Sequence, residues 1–150
     1  AKERNLSEQV VAHLEISSDY EKFKEKCHVA LASGDVSEAI DCYTKLINFE
    51  NTNHQYYANR SSAYSIQGDF ESALADAEKC IYIDPYFSKG YARKAVALFG
   101  IKKYDAAIAT YREGLIQCPG DADLLAGVAV LEKRYQKECS EKSLANKKKN

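Results

Sequence analysis

The chain has 150 residues, 45% apolar and 29% charged, which is room for one globular domain and excludes a disordered polyelectrolyte. Its 21 basic and 22 acidic residues leave a formal charge of −1, spread unevenly. Residues 1–131 hold fourteen basic against nineteen acidic groups, an acidic body without the basic face that duplex DNA requires.

Seven glycines and two prolines are few breakers, so helix is favoured. No apolar run approaches the roughly 18 residues of a membrane span, and no secretory signal opens the chain. Methionine is absent, even at position 1, so the sequence reads as a fragment of something longer. Five cysteines (Cys27, Cys42, Cys80, Cys118 and Cys139), odd in number and without a C-x-x-C, argue against a disulfide framework or zinc ribbon. They point to a reducing, cytoplasmic setting.

Leu6, Val10, Val11 and Leu14 form an apolar stripe that predicts a short extra amino-terminal helix within residues 1–18. Ser18-Asp19-Tyr20-Glu21 has capping-box spacing and predicts a fresh helix start near Asp19. From Tyr20 the chain repeats itself every 34 residues, over 20–53, 54–87 and 88–121. The fourth positions are Phe23, Tyr57 and Tyr91, the eighth Cys27, Ser61 and Ala95. Position 17 is Val36, Phe70 and Tyr104, and position 20 is Ala39, Ala73 and Ala107.

Each unit reads as two antiparallel helices, with the alanine at position 20 letting their axes approach. Leu124, Leu125, Val128, Leu131 and Tyr135 predict a capping helix over 122–137, which covers the apolar face of the last unit. The Lys-rich segment 138–150 reads as a disordered tail. The cysteines at positions 8, 23 and 27 of their units read as packed side chains.

This pattern resembles the tetratricopeptide repeat, a helix–turn–helix unit of the same length. The resemblance implies an all-α fold, three repeats in a right-handed superhelix over 19–137, whose first helices line a concave groove. Positions 2, 5, 6, 9, 12 and 13 of each first helix then face that groove. Lys24 and His28 stand one turn apart, as do Lys89 and Arg93, and Asn59 falls between the pairs.

A cluster of fixed donors, with no matched acid beside Lys89 and Arg93, suits a carboxylate. Arg grips it in a fork, Lys adds a point charge, and the amide donates without charge. Leu31, Ser62, Ile66, Val96 and Phe99 offer neighbouring contacts, the apolar ones for a side chain just upstream.

Phe23-Lys24-Glu25-Lys26, Asn59-Arg60-Ser61-Ser62-Ala63-Tyr64 and Lys89-Gly90-Tyr91-Ala92-Arg93-Lys94 are similar to the dicarboxylate-clamp co-chaperones, especially the first module of the Hsp70/Hsp90-organising family. That resemblance implies an adaptor that binds the Glu-Glu-Val-Asp tail of heat-shock protein 70 or 90. Lys24, Asn59, Lys89 and Arg93 fall on four of the five clamp positions. At the fifth the family has Asn where this chain has His28, and usually Gly where it has Cys27.

An imidazole donates one hydrogen bond, or two when protonated, so a His28 contact predicts tighter binding as pH falls through about 6.5. The likeness to the first module favours heat-shock protein 70. Ile66 and Phe99, apolar where that module usually offers charged contacts, pull the other way, and the choice stays open.

No catalytic, metal or cofactor constellation is present in the sequence: no G-x-S-x-G, no phosphate loop and no H-E-x-x-H. Cys27 and His28 are adjacent on a helix and point about 100° apart, which argues against a nucleophile pair. The expected module is therefore a monomeric binding domain without enzymatic activity, acting on neither nucleic acid nor membrane. Two alternatives stand beside it: a repeat scaffold with an altered or inactive clamp, and the targeting module of a larger enzyme.

Overall fold

The computed structural model describes residues 6–149, which form seven helices and no strand. These are α1 (Leu6–Ser33), α2 (Val36–Phe49), α3 (His54–Gln67), α4 (Phe70–Ile83), α5 (Ser88–Gly100), α6 (Tyr104–Gln117) and α7 (Ala122–Lys147). Helices α2, α4 and α6 begin at position 17 of the three units, and α3 and α5 at position 1. Each helix packs on the next, and α3 also meets α5 as α5 meets α7, so the first helices of successive units lie side by side.

Position 20 explains the close pairing: Ala39, Ala73 and Ala107 are all fully buried between helices. One apolar cluster gathers Tyr43, Leu46, Tyr56 and Tyr57 with the thiols of Cys27, Cys42 and Cys80. A second gathers Tyr91, Leu98, Ile108, Tyr111, Leu124 and Leu131, so α7 closes the stack. Gly127 makes that closure possible. A Cβ there would lie 2.4 Å from the Tyr111 ring, so only a bare backbone lets α7 sit flat on it.

The mid-unit turns share one geometry. Gly34, Gly68 and Lys102 have φ of 81°, 88° and 65°. Asp35, Asp69 and Lys103 then donate backbone N–H bonds to Ala30, Tyr64 and Leu98 carbonyls, at 3.0, 3.0 and 2.9 Å, the six-to-one link of a left-handed helix end. Asp35 and Asp69 go on to cap α2 and α4, accepting from the N–H of Glu38 and Ser72, whereas Lys103 gives α6 no side-chain cap.

The third turn thus holds a lysine, with its Cβ, where the others use glycine. Lys102→Gly is expected to stabilise the fold by about 0.5–1 kcal/mol, the left-handed strain relieved less the glycine entropy cost. Thermal melting checks this, and an unchanged or lower midpoint would contradict it.

Both ends differ from the sequence expectation. Helix α1 runs unbroken through Ser18-Asp19, so the capping box does not start a new helix and there is no separate amino-terminal one. Residues 1–33 contain neither Gly nor Pro, and an uninterrupted helix satisfies the backbone that the box would otherwise cap. Of the amino-terminal stripe, Val10 is exposed, and the side chains of Leu6, Val11 and Leu14 lie outside the described ones. Helix α7 continues past residue 137 to Lys147, where the sequence suggests a disordered tail. That stretch contains no Gly or Pro to break the helix, and an i,i+4 pair, Lys137–Glu141 at 4.0 Å, bridges into it.

Candidate carboxylate-binding groove

The amino-terminal half of the site is built on α1, α2 and α3. Lys24 holds an ion pair with Glu21 on its own helix at 3.2 Å and lies over the Tyr20 ring. The Glu21 hydrogen bond raises the ammonium pKa, so Lys24 stays charged. Tyr20 shares a 2.7 Å hydrogen bond with Tyr56 of α3 and donates to Glu50, which ties the first helix to the second unit.

His28 is exposed, with its Nδ1 2.7 Å from the buried Tyr43 hydroxyl, and Asn59 donates to the same hydroxyl from the other side at 3.2 Å. His28 and Asn59 are therefore brought together, through a third residue. Cys27, its neighbour, is fully buried, and burial with the Cys42 contact pushes its thiol pKa to about 12. A protonated, enclosed thiol is no nucleophile.

The carboxyl-terminal half is a cavity of about 240 Å³ lined by Ser88, Lys89, Ala92, Arg93, Asp121 and Asp123 among others. No hydrogen bond or ion pair joins Lys89 or Arg93 to another described residue, and the Arg93 Nε is a buried donor without a partner. A buried unpaired donor is costly, and Arg93 Nε keeps its hydrogen-bonding capacity unused within the domain. The Ser65 hydroxyl is the other such atom among the described residues.

Asp121 and Asp123 correct the expectation of no acid near the two cations. Asp121 is the N-cap of α7 and Asp123 lies in its first turn; Asp121 is engaged as the cap, accepting from Leu124 N–H at 3.0 Å. That backbone bond and the Ser88 side chain hold its carboxyl below the usual range, so it stays ionised while already engaged as a cap.

The remaining predicted contacts divide. Ser62 is half-buried and Ile66 exposed. Leu31 packs partly into the core beside the first cluster, and Phe99 into the second. Phe99 also lines, with Val96, Val130, Leu131 and Arg134, an apolar recess of about 310 Å³ beside the Lys89–Arg93 cavity. A larger recess between α6 and α7, lined by Asp105, Arg112 and Glu132, carries none of the predicted residues. Among the described residues no group of three or more His, Cys, Asp or Glu could hold a metal ion, and no helix is long and apolar enough to cross a membrane.

Sequence reasoning missed Tyr43. Its position in the repeat is a packing one, shared with Ala77 and Tyr111, and nothing in the spacing marks its hydroxyl.

Residues 54–87 and 88–115 match the tetratricopeptide repeat family model. The heat shock protein sti1 homolog of Schizosaccharomyces pombe is 39% identical over 112 residues, which is 75% of this chain and 19% of that protein. The chain therefore spans about a fifth of this relative. The Sgt2 tetratricopeptide domain from Aspergillus fumigatus superposes with a TM-score of 0.73 at 28% identity, covering 81% of this chain and 82% of that one. The first such domain of Spaghetti (RPAP3), bound to the HSP90 peptide SRMEEVD, superposes at 0.69 with 27% identity, over 76% and 93% of the two chains. With the 34-residue spacing, the paired helices and the shared turn geometry, these matches make the chain a tetratricopeptide-repeat domain.

Proposed function

We propose that the domain is a peptide-binding adaptor module that docks the acidic carboxyl-terminal Glu-Glu-Val-Asp tail of heat-shock protein 70 or 90. It works in the cytosol, as a co-chaperone and not as an enzyme. The observation that carries this reading is the buried, unpartnered Arg93 Nε beside an exposed, unpaired Lys89, donors that a ligand carboxylate would satisfy. Lys24, His28 and Asn59 supply the second set of donors for the terminal residue, whose main-chain and side-chain carboxylates need two grips. Leu31, Ser62, Ile66 and Phe99 flank the upstream residues.

The similar proteins support it: one is a heat shock protein sti1 homolog, and one structural neighbour holds a peptide ending in EEVD. Calorimetric titration with an acetylated peptide ending in Glu-Glu-Val-Asp, beside its carboxyl-amidated twin, tests it. Binding of the free acid and not the amide is the expected result. Equal binding of both, or of neither, would leave a repeat scaffold without a working clamp.

A further inference from the structure

We infer that Tyr43 is a positioning residue of this groove, whose buried hydroxyl links Asn59 to His28 and fixes the imidazole so that its Nε2–H is offered to the ligand. The inference rests on the carboxylate-clamp reading above.

Tyr43 is fully buried, and a buried phenol must place its hydroxyl. Two partners meet it, Asn59 Nδ2 at 3.2 Å and His28 Nδ1 at 2.7 Å. The amide N–H donates to the phenol oxygen, which leaves the phenol's own proton for Nδ1. Burial holds that proton firmly, pushing the phenol pKa to about 12. An imidazole that accepts at Nδ1 carries its hydrogen at Nε2, on the opposite edge of an exposed ring. The donor chain thus runs from α3 through α2 to α1 and ends at the groove. It gives the neutral histidine a fixed N–H, as the amide expected at this position would have.

The titratable groups on this face are Lys24, Glu21 and Glu25 of α1, Tyr43 and Glu50 from α2 and its end, and Tyr56 of α3, whose ring lies 6.5 Å from that of Tyr43. None needs to change charge for the donation. The tightening at acid pH expected from the sequence then reduces to the added charge of an imidazolium.

The test uses the full 150-residue chain and the free-acid Glu-Glu-Val-Asp peptide, with Tyr43→Phe, His28→Ala and the double variant. Tyr43→Phe is expected to weaken binding about tenfold, the loss of one net hydrogen bond's worth of orientation. In the His28→Ala background the same change is expected to weaken it only about twofold, because Tyr43 acts through the ring. A merely structural role would give the same factor in both backgrounds and would overturn the inference, as would wild-type affinity in Tyr43→Phe.

Nitrogen-15 spectra of the wild-type His28 ring decide the matter even where the variant fails to fold. An unprotonated Nδ1 with a slowly exchanging Tyr43 hydroxyl proton supports the chain, and an Nδ1–H overturns it. A wild type that ignores the free acid removes the clamp itself, and the inference with it. A wild type that binds while Tyr43→Phe binds equally well removes the inference alone.

Discussion

Arg93→Ala is expected to lower affinity for a free-acid Glu-Glu-Val-Asp peptide by about ten- to a hundredfold, the range for losing a hydrogen bond to a charged group. The guanidinium lies half-buried on α5, and its Nε points at no acceptor within the domain. Removing it therefore breaks no internal hydrogen bond or ion pair, and the melting temperature is expected to hold. That separation is what makes the variant informative. Titration calorimetry with the free acid and the amide measures it: the wild type should prefer the acid, and Arg93→Ala should bring the two curves together. An unchanged affinity would place the peptide outside the Lys89–Arg93 cavity. Lys89, more exposed, should show a smaller loss on Lys89→Ala because water screens its charge.

The second large effect concerns folding. Arg60 forms a two-pronged pair with Asp76, Nε to Oδ2 at 2.7 Å and Nη2 to Oδ1 at 2.8 Å, while its Nη1 donates to Thr44 at 3.1 Å. The guanidinium also lies near the rings of Tyr57 and Tyr64. The side chains are 17% and 9% exposed, so the pair ties α2, α3 and α4 together away from most water. The Asp76 hydrogen bonds raise the Arg60 pKa further, and the cation cannot escape by losing its proton.

Asp76→Ala would strand that charge. The cost is expected at about 2–4 kcal/mol, somewhat below the fully buried range because Arg60 keeps some solvent. Replacing both partners with apolar residues of similar size should cost less than Asp76→Ala alone, since no charge is then left unpaired. Chemical denaturation of the three proteins checks the order. A double variant less stable than the single one would contradict the argument.

These two results would touch different layers of the molecule, and so does the question of what was legible in the sequence. The 34-residue period was legible because its causes are local and repeated. Position 20 must be small wherever two helices cross closely, and Ala39, Ala73 and Ala107 are buried to the last atom for that reason. The turns were legible too, through Gly34-Asp35 and Gly68-Asp69, where φ is positive and an aspartate caps the next helix. Even Lys102-Lys103, which breaks the pattern, adopts the same turn, with the Lys103 N–H on the Leu98 carbonyl.

The helix ends were less legible. A capping box at Ser18–Glu21 competes with continuous helix, and short-range spacing alone does not say which wins. With no breaker before Gly34 the continuous helix won, and with none after Gly127 the same happened in α7. The groove residues were recognisable as residue types at one face, Lys24, His28, Asn59, Lys89 and Arg93, because the helical period places them there.

Their state was decided by tertiary contacts. Which donors are already spent depends on neighbours distant in the chain: the Asn59 amide is engaged by Tyr43, whereas Arg93 Nε finds nothing. Tyr43 shows the limit most plainly. By sequence it is an apolar packing position, and only the folding of α1, α2 and α3 around one ring puts its hydroxyl between His28 and Asn59. The period and composition of the chain determined that it is a stack of helix pairs with a polar inner face, since those follow from spacing and side-chain size. Which inner-face groups are held, freed or aimed was set by hydrogen bonds between helices, whose partners lie 15 and 16 residues apart and obey no local rule.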